Sequence, residues 1–76
     1  MKTYNLAVVV VPDKHEDGRE AFQAYCPDIE EAVTWGDTRE QALRRINELL
    51  PELVKLRLER GEPVPHADFE SVVVNV

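Results

Sequence analysis

His15 stands among Asp13, Lys14, Glu16 and Asp17, a spacing in which a neighbouring carboxylate can orient an imidazole for proton transfer or metal binding. The same neighbours describe an exposed hairpin loop, and that plainer reading is favoured. His66, which follows Pro65 and has Asp68 and Glu70 close in sequence, reads as a second loop histidine. Two histidines in separate loops do not make a catalytic pair. Cys26 has no adjacent base or helix N-terminus to activate its thiol, so it is expected to be a small buried hydrophobe at a strand end. Asp28, Glu30, Glu31 and Asp37 raise two-metal nuclease chemistry, in which several carboxylates gather divalent ions. Such enzymes hold some of their acids on rigid strands. The strand positions expected here, Val8, Val10, Phe22, Ala24 and Val33, are apolar. The residues therefore point to no catalytic group, no metal and no cofactor, with a vestigial metal nuclease as the third functional reading.

Arg44, Arg45, Lys55, Arg57 and Arg60 resemble a basic stripe, yet Glu40 to Arg44, Arg44 to Glu48 and Lys55 to Glu59 are spaced for mutual pairing on a solvated helix face. Tyr25 and Trp35 are large aromatics beside acidic turns, and either core packing or an interface would use them, since aromatics are enriched at interface centres. The net charge of −6 is uneven: residues 1–38 carry three bases and eight acids (−5), and residues 39–76 carry six bases and seven acids (−1). Such an acidic half repels phosphate backbones, so a basic protein is a better expected partner than free nucleic acid.

These side chains must be held by a small frame. Seventy-six residues, 43% of them hydrophobic, suit a single domain over 1–76 at a size where self-association often supplements the core. One cysteine forms no internal disulfide, which fits a reducing cytoplasm. The apolar run Leu6 to Val11 is too short for a signal segment or a membrane span. Tyr4, Leu6, Val8 and Val10 alternate with Asn5, Ala7, Val9 and Val11, which predicts a strand over 3–11 covered on both faces and central in its sheet. Asp17-Gly18 signals a hairpin into a strand over 20–26, with Phe22, Ala24 and Cys26 on one face. A short strand over 32–35 follows the Pro27-Asp28 turn.

Thr38 and Gln41 form a capping box that starts a helix. Ala42, Leu43, Ile46, Leu49, Leu50, Leu53 and Val54 give that helix one apolar face. Pro51 predicts a kink or short break, Gly61 a stop, and Phe69 to Val76 a final strand with Val72, Val74 and Val76 on one face. A right-handed crossover would set this strand parallel beside the first, as an edge open to self-association. The expected class is α+β with the order βββαβ.

Tyr4 at the strand start, Asp17-Gly18, Tyr25-Cys26-Pro27-Asp28, Gly36-Asp37-Thr38-x-Glu40-x-Ala42 and Glu59-x-Gly61-x-x-Val64-Pro65, in this order and spacing over residues 3–66, resemble the HicB-like antitoxin family. The resemblance implies a partial ribonuclease H-like sheet without nuclease activity, in a domain that binds and occludes HicA, a small basic toxin that cleaves messenger RNA. Pro27, Gly36, Asp37, Thr38 and Ala42 match positions that build the family fold. Tyr25, Asp28, Glu30, Glu31 and Trp35 are the residues expected to meet the toxin. Many members of that family carry a C-terminal operator-binding domain, and none is expected within residues 1–76. The expected function is thus that of a cytoplasmic, non-enzymatic antitoxin-like protein. The alternative is a solitary homo-oligomeric structural or regulatory binding module without a toxin.

Overall fold

Two short turns divide the first half of the chain into three strands, and a capped helix follows. The computed structural model of the protein describes residues 4–65. Its elements are β1 (Val9–Lys14), β2 (Glu20–Cys26), β3 (Ile29–Gly36) and α1 (Arg39–Glu59). The strands form an antiparallel sheet in the order β1-β2-β3, and the fold is α+β. The expected final strand, with Val72, Val74 and Val76, lies outside the described residues, as does His66.

The β1–β2 hairpin closes through Gly18, at φ +88°. Its amide donates to the His15 carbonyl at 2.9 Å, and the His15 amide donates to the Arg19 carbonyl at 2.9 Å. This leaves a three-residue loop of Glu16, Asp17 and Gly18. Asp17 Oδ1 accepts from the Arg19 amide at 3.1 Å and Oδ2 from Arg19 Nε at 2.7 Å.

β2 spans the residues expected of it, but β1 does not. The ladder begins at Val9, opposite Tyr25, and β2 ends at Cys26, so residues 4–7 run past the end of their neighbour. At its other end β1 continues through Pro12 to Lys14. Proline lacks a ladder donor and suits a strand paired on one side. Among the described residues β1 pairs with β2 alone and β2 is central, so the central place expected for the first strand depends on residues outside the described ones.

α1 begins as its cap predicts. Thr38 Oγ1 accepts from the Gln41 amide at 3.1 Å, while Gln41 Oε1 accepts from the Asp37 amide at 2.6 Å, one residue earlier than a simple capping box requires. Gly36 serves this junction in a way turn chemistry did not suggest. A Cβ there would stand 2.6 Å from the Ala42 nitrogen, so the bare backbone is what lets the first helical turn lie against β3.

The helix is unbroken from Arg39 to Glu59 with Pro51 inside it, which corrects the expected break. Proline removes the one amide that would bond the Asn47 carbonyl, at a cost of roughly 3 kcal/mol in a free helix. Burial of Ala42, Ile46 and Leu50, with Leu49, Leu53 and Val54 packed beside them, offsets that loss on both sides of the proline. Gly61, at φ +69°, ends the helix. Its amide donates to the Leu58 carbonyl at 3.2 Å and the Glu62 amide to the Arg57 carbonyl at 2.8 Å, the two bonds of a Schellman cap.

The core lies between the helix and one face of the sheet. Ala24, Cys26, Ile29 and Ala32 come from the strands and Ala42, Ile46 and Leu50 from the helix, and Cys26 is the buried small side chain expected. No helix among the described residues is long and apolar enough to cross a membrane.

Candidate functional surface

Residues directly opposite in an antiparallel sheet point to the same side. One set of rows, Val10-Ala24-Thr34 and Pro12-Phe22-Gly36, contains buried Ala24 and faces the helix. The other set is Val9-Tyr25-Val33, then Val11-Gln23-Trp35, then Asp13 beside Ala21. This second face carries no helix in the described structure. It presents three valines and two aromatics around one glutamine.

Trp35 is 46% exposed, yet its indole is fixed: Nε1 donates to Asp13 Oδ2 at 3.0 Å. Strands lie roughly 4.8 Å apart, so an indole rooted on β3 that reaches β1 must pass over β2. Ala21 marks the crossing, being only 2% exposed although it belongs to the outer face. Asp13 Oδ1 also accepts from the Lys14 amide at 2.8 Å. These bonds, the backbone one first and the indole second, hold the Asp13 carboxyl below the ordinary aspartate range. Behind the sheet, Arg45 Nη1 donates to the Trp35 carbonyl at 2.7 Å, which ties the end of β3 to α1. Tyr25 is the diagonal neighbour of Trp35 across Val33.

The structure therefore joins Tyr25 and Trp35 on one surface, but it disperses the acids grouped with them. Asp28 lies in the turn between β2 and β3, with Oδ2 buried and unbonded in the described structure. Glu30 is exposed. Glu31 forms a two-point bond with Arg57, Nε to Oε1 and Nη2 to Oε2, both at 3.0 Å. Those bonds lower the Glu31 carboxyl and raise the Arg57 guanidinium from their ordinary values. Arg57 Nη1 also donates to the Pro63 carbonyl at 3.3 Å. Glu31 is thus a clasp between β3 and the helix end as well as a surface charge. Asp37 Oδ1 accepts from the protonated Nε2 of His15 at 2.8 Å, and this contact pins the hairpin to the helix start.

Among the described residues, no three histidine, cysteine or carboxylate groups lie close enough to hold a metal ion. The pairs expected within the helix, Glu40–Arg44, Arg44–Glu48 and Lys55–Glu59, do not close; the ion pairs formed by described residues are His15–Asp37, Asp17–Arg19 and Glu31–Arg57. An open groove of about 340 Å³ on the helix side, lined by Leu6, Val8, Leu50, Pro51 and Val54 with Tyr4 and Asn47, is apolar and lies away from the Trp35 face.

Sequence reasoning named Tyr25 and Trp35 together, and they share a sheet face, but it did not group Val9, Val11, Asp13, Gln23 and Val33 with them. Parity about the Asp17-Gly18 turn was the available signal, because it already sets Asp13, Val11 and Val9 opposite Ala21, Gln23 and Tyr25. No family model matches the chain, and no curated protein or solved structure matches it either.

Proposed function

We propose that the protein is a non-enzymatic, antitoxin-like binding protein that occludes a small basic HicA-type mRNA-cleaving toxin, with the outer sheet face as its docking surface. The observation that carries this reading is the sheet face on which no described element packs, where Trp35 is 46% exposed beside Tyr25 and three valines. Its surroundings supply the sign of the partner. Residues 4–38 hold eight acids against Lys14 and Arg19, and Arg19 is engaged by Asp17. An apolar face in a half of the chain with net negative charge favours fast, salt-sensitive association with a cationic protein surface. The ordered match of Gly36-Asp37-Thr38 and Tyr25-Cys26-Pro27-Asp28 to the HicB-like pattern supplies the toxin class.

The test is inhibition. The purified protein is titrated into a purified HicA-type toxin, and messenger RNA cleavage is followed at low and moderate salt. Loss of cleavage near one equivalent, relieved as salt rises, is expected. Unchanged cleavage at several equivalents would overturn the reading. In that case a defined homo-oligomer by sedimentation would favour the solitary binding module.

A further inference from the structure

We propose that Trp35 and Asp13 together seat an arginine side chain of the basic partner protein, with its guanidinium stacked on the indole and hydrogen-bonded to the carboxylate. The inference rests on the reading of the outer face as a docking surface and names the chemistry of its anchor. A cation over an aromatic face within about 6 Å is attracted by the ring quadrupole, most strongly for tryptophan. The indole edge is already committed, because Nε1 donates to Asp13, so the exposed part of Trp35 is its ring. The bond also fixes the ring beside a carboxylate, so the seat is organised before anything arrives.

Each Asp13 oxygen accepts one bond, from Lys14 N or Trp35 Nε1, and keeps a lone pair for a further donor. Among the described residues no cation pairs with it. Lys14 follows Asp13 in the strand, so its side chain points to the opposite face. Arg19 is held by Asp17 and His15 by Asp37. A planar guanidinium can stack and donate at the same time, whereas an ammonium offers a point charge without the stacking plane. The docking partner is taken to be a different, basic chain, because a second copy laid face to face would set Asp13 against Asp13 and one net-negative half against another.

The experiment uses the full chain and needs no toxin. The chain holds one tryptophan, so a single indole N–H resonance reports the seat. It is followed by NMR during titration with N-acetyl-arginine methylamide, N-acetyl-lysine methylamide and a neutral norleucine analogue. A saturable shift of the indole and of the Asp13 and Ala21 amides is expected with the arginine probe, with several-fold weaker binding of the lysine probe. Asp13→Asn, which retains an acceptor for the indole, should weaken the arginine probe roughly tenfold, the scale of a charge-assisted hydrogen bond. Equal responses to arginine and lysine, a response indifferent to Asp13→Asn, or shifts confined to other residues would each overturn the proposal. A filled seat together with unchanged toxin cleavage would instead place the failure in the antitoxin reading. An empty seat in a protein that still inhibits the toxin would remove the arginine anchor alone.

Discussion

Replacing Gly36 with alanine tests the junction on which both sheet faces depend. The added Cβ would stand 2.6 Å from the Ala42 nitrogen, 3.0 Å from the Gln41 carbonyl carbon and 3.1 Å from the Ala42 Cα. Ordinary contact between such atoms begins near 3.5 Å, so the helix start must retreat by about 0.9 Å. All three atoms are backbone, and no side-chain rotation relieves them. The retreat pulls on fully buried Ala42, on the Thr38 cap and on the 2.7 Å bond from Arg45 to the Trp35 carbonyl. Overpacking of this kind costs about 1–3 kcal/mol. At about 2.1 cal/mol/K per residue, each kcal/mol moves the melting temperature of a domain this size by roughly 6 °C. Gly36→Ala should therefore lower Tm by roughly 6–18 °C in far-ultraviolet circular dichroism. Gly61 is the control, since its Cβ would meet nothing within 4 Å while its φ is +69°. Asparagine tolerates that conformation better than alanine, so Gly61→Asn should be milder than Gly61→Ala, and Gly36→Asn no milder than Gly36→Ala. A Gly36→Ala protein melting within about 2 °C of the parent, where less than 0.5 kcal/mol is at stake, would refute the close approach.

Thr38→Ala removes the acceptor for the Gln41 amide and should cost about 1 kcal/mol, read as a Tm loss that Thr38→Ser largely restores. Ile46→Ala opens a cavity at a fully buried side chain and should cost about 2–5 kcal/mol. A domain this size has only roughly 4–11 kcal/mol in total, so its urea midpoint should fall by roughly a fifth or more; a shift of a few per cent would show that Ile46 is not in the core. Arg57 holds the Glu31 carboxyl below its ordinary value, so the unfolded chain binds more protons than the folded one as pH falls. The resulting stability is present above the unfolded glutamate value and is lost as pH drops through the folded one. Urea midpoints of Glu31→Gln should consequently decline less steeply in acid than those of the parent, and identical slopes would show that the clasp does not form in solution.

Much of the fold was legible because its signals are local. Asp17-Gly18 fixed the first hairpin, Thr38 and Gln41 the helix start, Gly61 its end, and the recurrence of Ala42, Ile46 and Leu50 the face that packs on the sheet. The extent of β1 was not, because a ladder ends where its partner ends, and the partner of Val9 is set by the hairpin rather than by the valine run. The break considered at Pro51 does not occur, for a related reason. The cost of the proline is local and visible, whereas the packing of Leu50, Leu53 and Val54 that outweighs it is tertiary. The helix carboxylates were assigned to neighbours one turn away, yet the best-formed cation contact on the helix, Arg57 to Glu31, crosses 26 positions of sequence.

The orientation of Trp35 shows most clearly what a sequence withholds. The two-residue Pro27-Asp28 turn pairs Cys26 with Ile29, and continuing that register would set Tyr25 opposite Glu30 and Phe22 opposite Val33. Val33 and Trp35 would then point toward the helix. The observed ladder instead pairs Tyr25 with Val33 and Gln23 with Trp35, a shift of three positions between Tyr25 and Cys26. An odd shift exchanges the two faces of a strand. The bulge lets Ile29 and Ala32, three apart, both bury completely, which a regular strand with period two cannot do. The same bulge gives Glu31 its reach to Arg57 and turns Trp35 outward to Asp13. Core and interface were therefore both open readings of Trp35 for a physical reason, because they differ by the parity of one bulge. The alternation break at Ile29-Glu30-Glu31-Ala32 is where that parity was written.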